Sequence, residues 1–347
     1  MALPLVGADS TRIYNEDLVA TAEHIQPGIT ENAINAHPAM SVIFGNIGEI
    51  MNGEIGNTGA GGSAESATGD SIRINVKLGK NGSARRLASG YGEFSTDTSD
   101  TARGGRANWK MYGATVIISG SQKRRNSGAE QQINQLVYKQ TDATTGLVDM
   151  VAEDILSTSS LPNAITSIPT LISKGDSVQS LSGATFANWN SRGLQAKGTA
   201  HGTISFTPST TSFATAGLPN WRTAYMNAEE GSIKPSVIIT TDAIYRFYEG
   251  SLTPQVRYAD PRVGDLSFES LRFKGASVFH DPFCASGETY FLNTQYLKAK
   301  YLPGALFNIS PMIEQDAQDV FSAKILFEGQ LCISGRKYNN KVVGQTA

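Results

Sequence analysis

His280, Asp281 and Cys284 fall together in the stretch VFHDPFCAS. A thiol beside an imidazole and a carboxylate has the composition of a cysteine nucleophile with its base and orienting acid. The same side-chain types are also metal ligands. The spacing argues against both uses. His280-Asp281-Pro282 ends an apolar run and begins a turn, which makes Cys284 a packed thiol, and a metal set has no fourth ligand at a workable distance. The remaining histidines, His24, His37 and His201, form no HxH or HExxH pattern. GxGxxG after a strand, GxxxxGK[ST] and GxSxG are also missing. No cofactor and no metal site is expected.

A second stretch invites a ligand. In VIITTDAIYRFYEG, Val237 to Gly250, four β-branched or apolar residues run into Thr-Asp and then a helical pattern. Strand-to-helix turns of this kind hold phosphates when glycines let the ligand approach the backbone. No glycine stands at this turn. Thr241 or Asp242 would cap the first helical N–H groups, and Tyr245, Phe247 and Tyr248 make the helix a packed element. The turn reads as scaffold.

The elements that would carry such groups alternate irregularly, which reads as α+β. The chain has 347 residues, 40% of them apolar, and 35 glycines against 13 prolines, enough for a sizeable core and about two domains. Its two cysteines fit free thiols in a reducing compartment. Neither a secretory leader nor a membrane span is legible.

Along the chain, residues 1–30 read as an extended arm and 31–47 as one or two helical turns broken near Pro38. Asn52–Asp70 reads as a Gly/Ser/Ala-rich linker. SIRINVKL, Ser71–Leu78, alternates strictly and predicts a half-exposed strand. NWKMYGATVIIS, Asn108–Ser119, is its expected partner. Almost thirty Gly-, Ser-, Thr-, Asp- and Arg-rich residues lie between them, giving a long two-stranded arm with a basic tip. Such a ribbon is marginal alone in water, and no surface for it is evident in the same chain. Ser127–Thr158 predicts a long helix, with Ser127 and Glu130 as a capping box and Leu161-Pro162 as the stop. Helices at Leu218–Gly231 and Asp242–Glu249 follow. The pieces SIPTLISKGDS and TISFTPST read as strand-like, further strands reach Ser334, and the tail is polar.

The net charge of −2 hides blocks. Residues 1–70 carry nine acids and one base, residues 71–125 eleven bases and three acids, and residues 126–158 five acids and one base. Blocks of this kind point either to surfaces that meet one another or to a merely solvated basic loop.

Three segments carry a family resemblance: KPSVIITTDAIYRFYEGSLTPQVRYADP, LRFKGASVFHDPFCASGETYFLNTQYLKAKYLP and FSAKILFEGQLCISGRKYNNKVV. With the order of elements over about residues 105–340, they resemble the major capsid proteins of tailed bacteriophages, with the Hong Kong 97-like α+β fold. The resemblance implies an N-terminal arm over 1–50 and a linker with an extended β-hairpin loop over 51–126. A peripheral-domain spine helix would cover 127–159, an axial domain 160–293, and returning peripheral strands 294–347. It also implies a non-enzymatic subunit of a virion, assembled in the host cytoplasm into pentamers and hexamers around double-stranded DNA. Its partners would be a portal, scaffolding or decorating proteins, and DNA held only weakly. Lys77 and Lys80 match no crosslinking motif, and no covalent bond between subunits is expected. If the hairpin lies on a neighbour, Arg85, Arg86, Arg103 and Arg106 are the candidate interface bases, and Asp142, Asp149, Glu153 and Asp154 the candidate acids. Two other readings stay open: the shell of a bacterial nanocompartment, and a hydrolase using Cys284 and His280.

Overall fold

The computed structural model describes residues 37–44, 64–79, 81–84, 86, 101–125, 135–159, 161–191, 213–252, 271–315 and 318–345. In chain order the first elements are helix α1 (Pro38–Phe44) and strands β1 (Ala64–Ser66), β2 (Ile72–Lys77), β3 (Ala102–Ala107) and β4 (Lys110–Ser119). Helices α2 (Gly120–Arg125), α3 (Gln135–Leu156) and α4 (Ile168–Leu171) come next, then β5 (Ser177–Val178) and β6 (Leu181–Ser182). Helix α5 (Leu218–Ala228), strand β7 (Val237–Thr240) and helix α6 (Asp242–Ser251) lead to β8 (Leu271–Phe273), β9 (Ala276–His280), β10 (Thr289–Leu292) and β11 (Leu297–Tyr301). The chain closes with β12 (Asn308–Ile309), β13 (Ile313–Glu314), β14 (Val320–Ile333) and β15 (Asn340–Val342). The architecture is α+β.

Strand β14 organises the first sheet. Along one edge it pairs antiparallel with β4, from Val320↔Ser119 to Gly329↔Lys110. Along the other it meets β13, β12 and β11 in turn, and β1 joins β11 in parallel. Alternation buries Tyr112 and Val116 of β4 with Ala323, Ile325 and Phe327 of β14. On that face lies α3, which presents Leu147, Val148, Val151, Ala152, Ile155 and Leu156 at helical spacing. At ~1.5 Å per residue its 22 residues span about 33 Å. The predicted cap at Ser127 and Glu130 lies outside the described residues.

The second sheet has the order β15-β10-β7-β9-β8, antiparallel except for β7 with β9. It is buried on both faces, which is why β7 reads VIIT without alternation. Val237 and Ile239 face the core that holds α3, while Ile238 faces a second cluster under α5 and α6. Trp221 centres that cluster, with ring centroids 5.2 Å from Phe213, 5.1 Å from Tyr248 and 5.5 Å from Phe273.

Several sequence expectations need correction. The partner of β2 is β3, ARGGRA, paired from Ile72↔Ala107 to Lys77↔Ala102. The aromatic and β-branched strand expected there goes to β14 instead, because only the large sheet buries its apolar face. The hairpin does have a bed in its own chain. Ile72 and Ala107 pack with Cys332, the Arg106 N–H donates to Gln179 O (2.8 Å), and Asn188 Nδ2 donates to Leu78 O (3.0 Å). Gly105 permits this approach, since a Cβ there would stand 3.2 Å from Gln179 O.

Pro38 opens a helix rather than breaking one, as suits a residue whose missing N–H would be unpaired anyway. The Asn52–Asp70 linker contains β1, and Ile168–Leu171 is helical rather than strand-like. Within the polar tail, Arg336, Asn339, Asn340 and Gln345 are buried.

Candidate functional site

The three residues that could do nucleophilic chemistry are not assembled into a relay. The Cys284 thiol donates to Glu288 O (3.6 Å), and burial pushes its pKa well above the ordinary thiol value. The exposed His280 ring lies 5.2 Å from the Tyr245 ring. Asp281 is buried and accepts the Phe283 N–H (2.9 Å) and the Ala39 N–H (3.1 Å). It fixes a turn and ties α1 to the second sheet. Burial raises the Asp281 pKa, and the two N–H donors oppose that rise. Among the described residues no group of three or more His, Cys, Asp or Glu side chains is placed to hold a metal.

The β7–α6 turn departs from its expected capping. Thr241 occupies the N-cap position but makes no side-chain cap bond. The Asp242 carboxylate is held by Arg246 one turn on, with Nε at 3.1 Å. Tyr245 and Tyr248 are buried, as expected of a packed helix.

The charged candidates fall into two groups. Arg73, Asn75 and Lys77 point outward from β2, and Arg106 points the same way from β3, where it stands opposite Arg73. Arg106 pairs with Asp70 (3.1 Å), although both side chains are largely exposed. Arg86 and Arg103 are exposed, and Arg85 lies outside the described residues. The described part of the hairpin is therefore a basic face with a flat patch at Gly104.

On α3 the four acids divide. Asp142 and Glu153 are exposed. Eleven residues is close to three full turns, so the two share one face about 16 Å apart. Asp154 is 8% exposed and accepts a hydrogen bond from Tyr112 Oη (2.7 Å), which removes it from the surface acids. Asp149 meets His37 Nε2 (2.7 Å) and is tied to α1. Period alone could not separate these four, because burial on α3 depends on where α1 and β4 cross it.

Sequence reasoning also passed over His37, a lone histidine in an uninformative segment. It is 1% exposed and stacks on Phe283, with centroids 4.9 Å apart. With Asp149 and Asp281 it joins α1, α3 and the second sheet. No local signal marks it.

The fold recurs among solved structures. The capsid asymmetric unit of cyanophage A-1(L) is 14% identical, with a TM-score of 0.60 over 95% of this chain and 99% of that one. A chain of Mycobacterium phage Bobi is 8% identical, with a TM-score of 0.59 over 94% and 97%. The holo-SrpI encapsulin complex of Synechococcus elongatus PCC 7942 is 7% identical, with a TM-score of 0.56 over 94% and 93%. No family model and no curated protein matches the chain. The chain thus has the fold of tailed-phage major capsid proteins.

Proposed function

We propose that this chain is a phage major capsid protein: a non-enzymatic subunit that closes, through pentamers and hexamers of itself, into an icosahedral shell around double-stranded DNA. The observation that carries this reading is end-to-end correspondence with a phage capsid chain, which covers 99% of that chain. The charged surfaces supply a contact. Arg73 and Lys77 lie about 13 Å apart along an extended strand, close to the ~16 Å separation of Asp142 and Glu153 along α3. A hairpin laid along a neighbour's helix would place bases over acids at both ends. Each exposed pair contributes only about 0–1 kcal/mol, but the contact repeats at every subunit. DNA contact should be weak, sequence-independent and salt-sensitive, with a portal and scaffolding or decorating proteins completing the particle.

The encapsulin similarity favours a second reading, a nanocompartment shell of the same fold. Negative-stain microscopy of the purified protein, with nuclease digestion of the particles, separates the possibilities. Closed shells protecting duplex DNA after phage-like packaging support the first reading. Closed shells that fill only with a co-expressed protein cargo support the second. A protein that stays a small particle under all assembly conditions refutes both.

A further inference from the structure

Asn81, Gly82 and Ser83 make a turn just beyond the paired strands of the hairpin, with Asn81 and Gly82 exposed. Before the turn, the Leu78 and Gly79 N–H groups both donate to Thr101 O (2.9 and 3.4 Å). Within it, Asn81 Oδ1 accepts from the Ser83 N–H (3.0 Å) and from the Ser83 hydroxyl (2.8 Å). A side-chain carbonyl bonded to the N–H two residues on closes a ring around the peptide nitrogen between them. The Asn81 amide is thus folded back beside the Gly82 nitrogen.

These are the parts of an intramolecular acyl transfer. Gly82 N is the nucleophile and Asn81 Cγ the carbonyl carbon, and attack closes a five-membered ring between groups already held in one turn. Oδ1 takes up negative charge as the bond forms, and hydrogen bonds to an oxygen strengthen when it is charged. The two Ser83 donors therefore stabilise the transition state more than the reactant, as an oxyanion hole does. Gly82 carries no side chain to obstruct the ring. A Cβ added there would meet nothing within 4 Å, so packing does not demand the glycine.

The surroundings favour the anion. Lys77 ends β2 before the turn, Arg86 follows the turn, and Arg103 lies on β3; all three are exposed. Nearby cations favour the charged form of a group. Exposure of the turn also gives water access to the ring once it has closed.

We propose that Asn81-Gly82 is a self-modification site, which converts a neutral amide into a carboxylate within the basic hairpin. Hydroxide takes the Gly82 amide proton, and the nitrogen's electron pair forms the bond to Asn81 Cγ. The tetrahedral centre collapses, the Cγ–Nδ2 bond breaks, and the side-chain nitrogen leaves as ammonia with a proton from water, which regenerates hydroxide. Water then opens the five-membered imide at either carbonyl, leaving aspartate or isoaspartate. The balance is amide and water to carboxylate and ammonium, with no further reactant. Each event removes one unit of net positive charge from residues 71–125, which carry eleven bases and three acids. The reaction is complete within one chain and does not rest on shell formation.

The test follows the folded full-length protein and the free peptide KNGSARR, residues 80–86, in one neutral buffer by peptide mass mapping. The readout is exchange of the amide nitrogen for oxygen at residue 81, with aspartate and isoaspartate separated. Conversion should be at least as fast in the folded protein as in the peptide, and both products should form. Ser83→Ala should slow the protein about threefold, the share of one exposed hydrogen bond, and should change the peptide little. Gly82→Ala, whose Cβ has open space, should fold normally and nearly stop the reaction. Slower conversion in the folded protein than in the peptide would show that the turn protects Asn81, and overturns the proposal. Equal rates in the parent and Ser83→Ala proteins, or aspartate without isoaspartate, overturn it as well.

Discussion

Arg73 and Arg106 stand directly opposite one another across the β2–β3 ladder, both exposed. Like charges in that position destabilise a two-stranded ribbon, and Asp70, which pairs with Arg106, is itself largely exposed. A repulsive pair on the outward face of the hairpin fits a surface whose counter-charges lie on another molecule.

This gives two effects of opposite sign for one substitution. Arg73→Glu should leave the isolated subunit as stable as before or more so, by about 0.2–1 kcal/mol. It should also impair assembly, and reversal of Asp142 or Glu153 on the partner should partly restore it. Urea unfolding followed by circular dichroism reads the first effect, and sedimentation reads the second. Normal shells from Arg73→Glu would mean that the basic face is only solvated.

Tyr112 joins three elements through one hydroxyl. It donates to Asp154 Oδ2 (2.7 Å) and accepts the Ile165 N–H (2.7 Å), linking β4, α3 and the segment before α4. Tyr112→Phe preserves the ring but strips both groups of their partner. At about 1–3 kcal/mol for each of the two buried groups, a loss of about 2–6 kcal/mol is expected. Chemical denaturation checks it, and a change under 0.5 kcal/mol, the usual size for surface substitutions, would contradict the network.

Arg336 carries its charge into the interior without a carboxylate. Its guanidinium donates to the carbonyls of Leu171 (2.8 Å), Asp176 (3.4 Å) and Ser173, and lies over the Trp189 ring at 5.6 Å. A planar fork reaches three carbonyls at once, whereas an ammonium on a flexible stem does not. Arg336→Lys should therefore destabilise by on the order of 3 kcal/mol despite the conserved charge. A thermal midpoint equal to the parent's would show that the fork geometry is dispensable.

Glu65 fastens edge strand β1 through both Lys298 and Lys300 of β11. Those two ammonium groups hold its carboxyl below the ordinary value of 4.5. A carboxylate with a depressed folded pKa contributes stability that is fully present above 4.5 and lost as pH falls through the lower folded value. The gap in thermal midpoint between the parent and Glu65→Gln should hold from neutral pH down to about 4.5 and close only below it. With the side chain 40% exposed, the gap will be small. A gap that widens toward acid would reverse the assignment.

What the sequence by itself determined follows local chemistry. The period of α3, the VIIT run of β7, the helices at Leu218 and Asp242 and the strand ending at His280 are specified within a few residues of themselves. Side-chain period and turn residues are local quantities, and so are the charge blocks. The partner of β2 was not local. ARGGRA has little strand character, but Gly105 lets it seat against Gln179, while β4 buries more apolar surface on β14, some two hundred residues away. Tertiary packing likewise decided that Asp154 is buried while Glu153 beside it is exposed, and that Asn339, Asn340 and Gln345 of the polar tail lie in the interior. Burial belongs to the assembled core rather than to any stretch of chain, so the elements could be read one by one, and the surfaces they leave for partners could not.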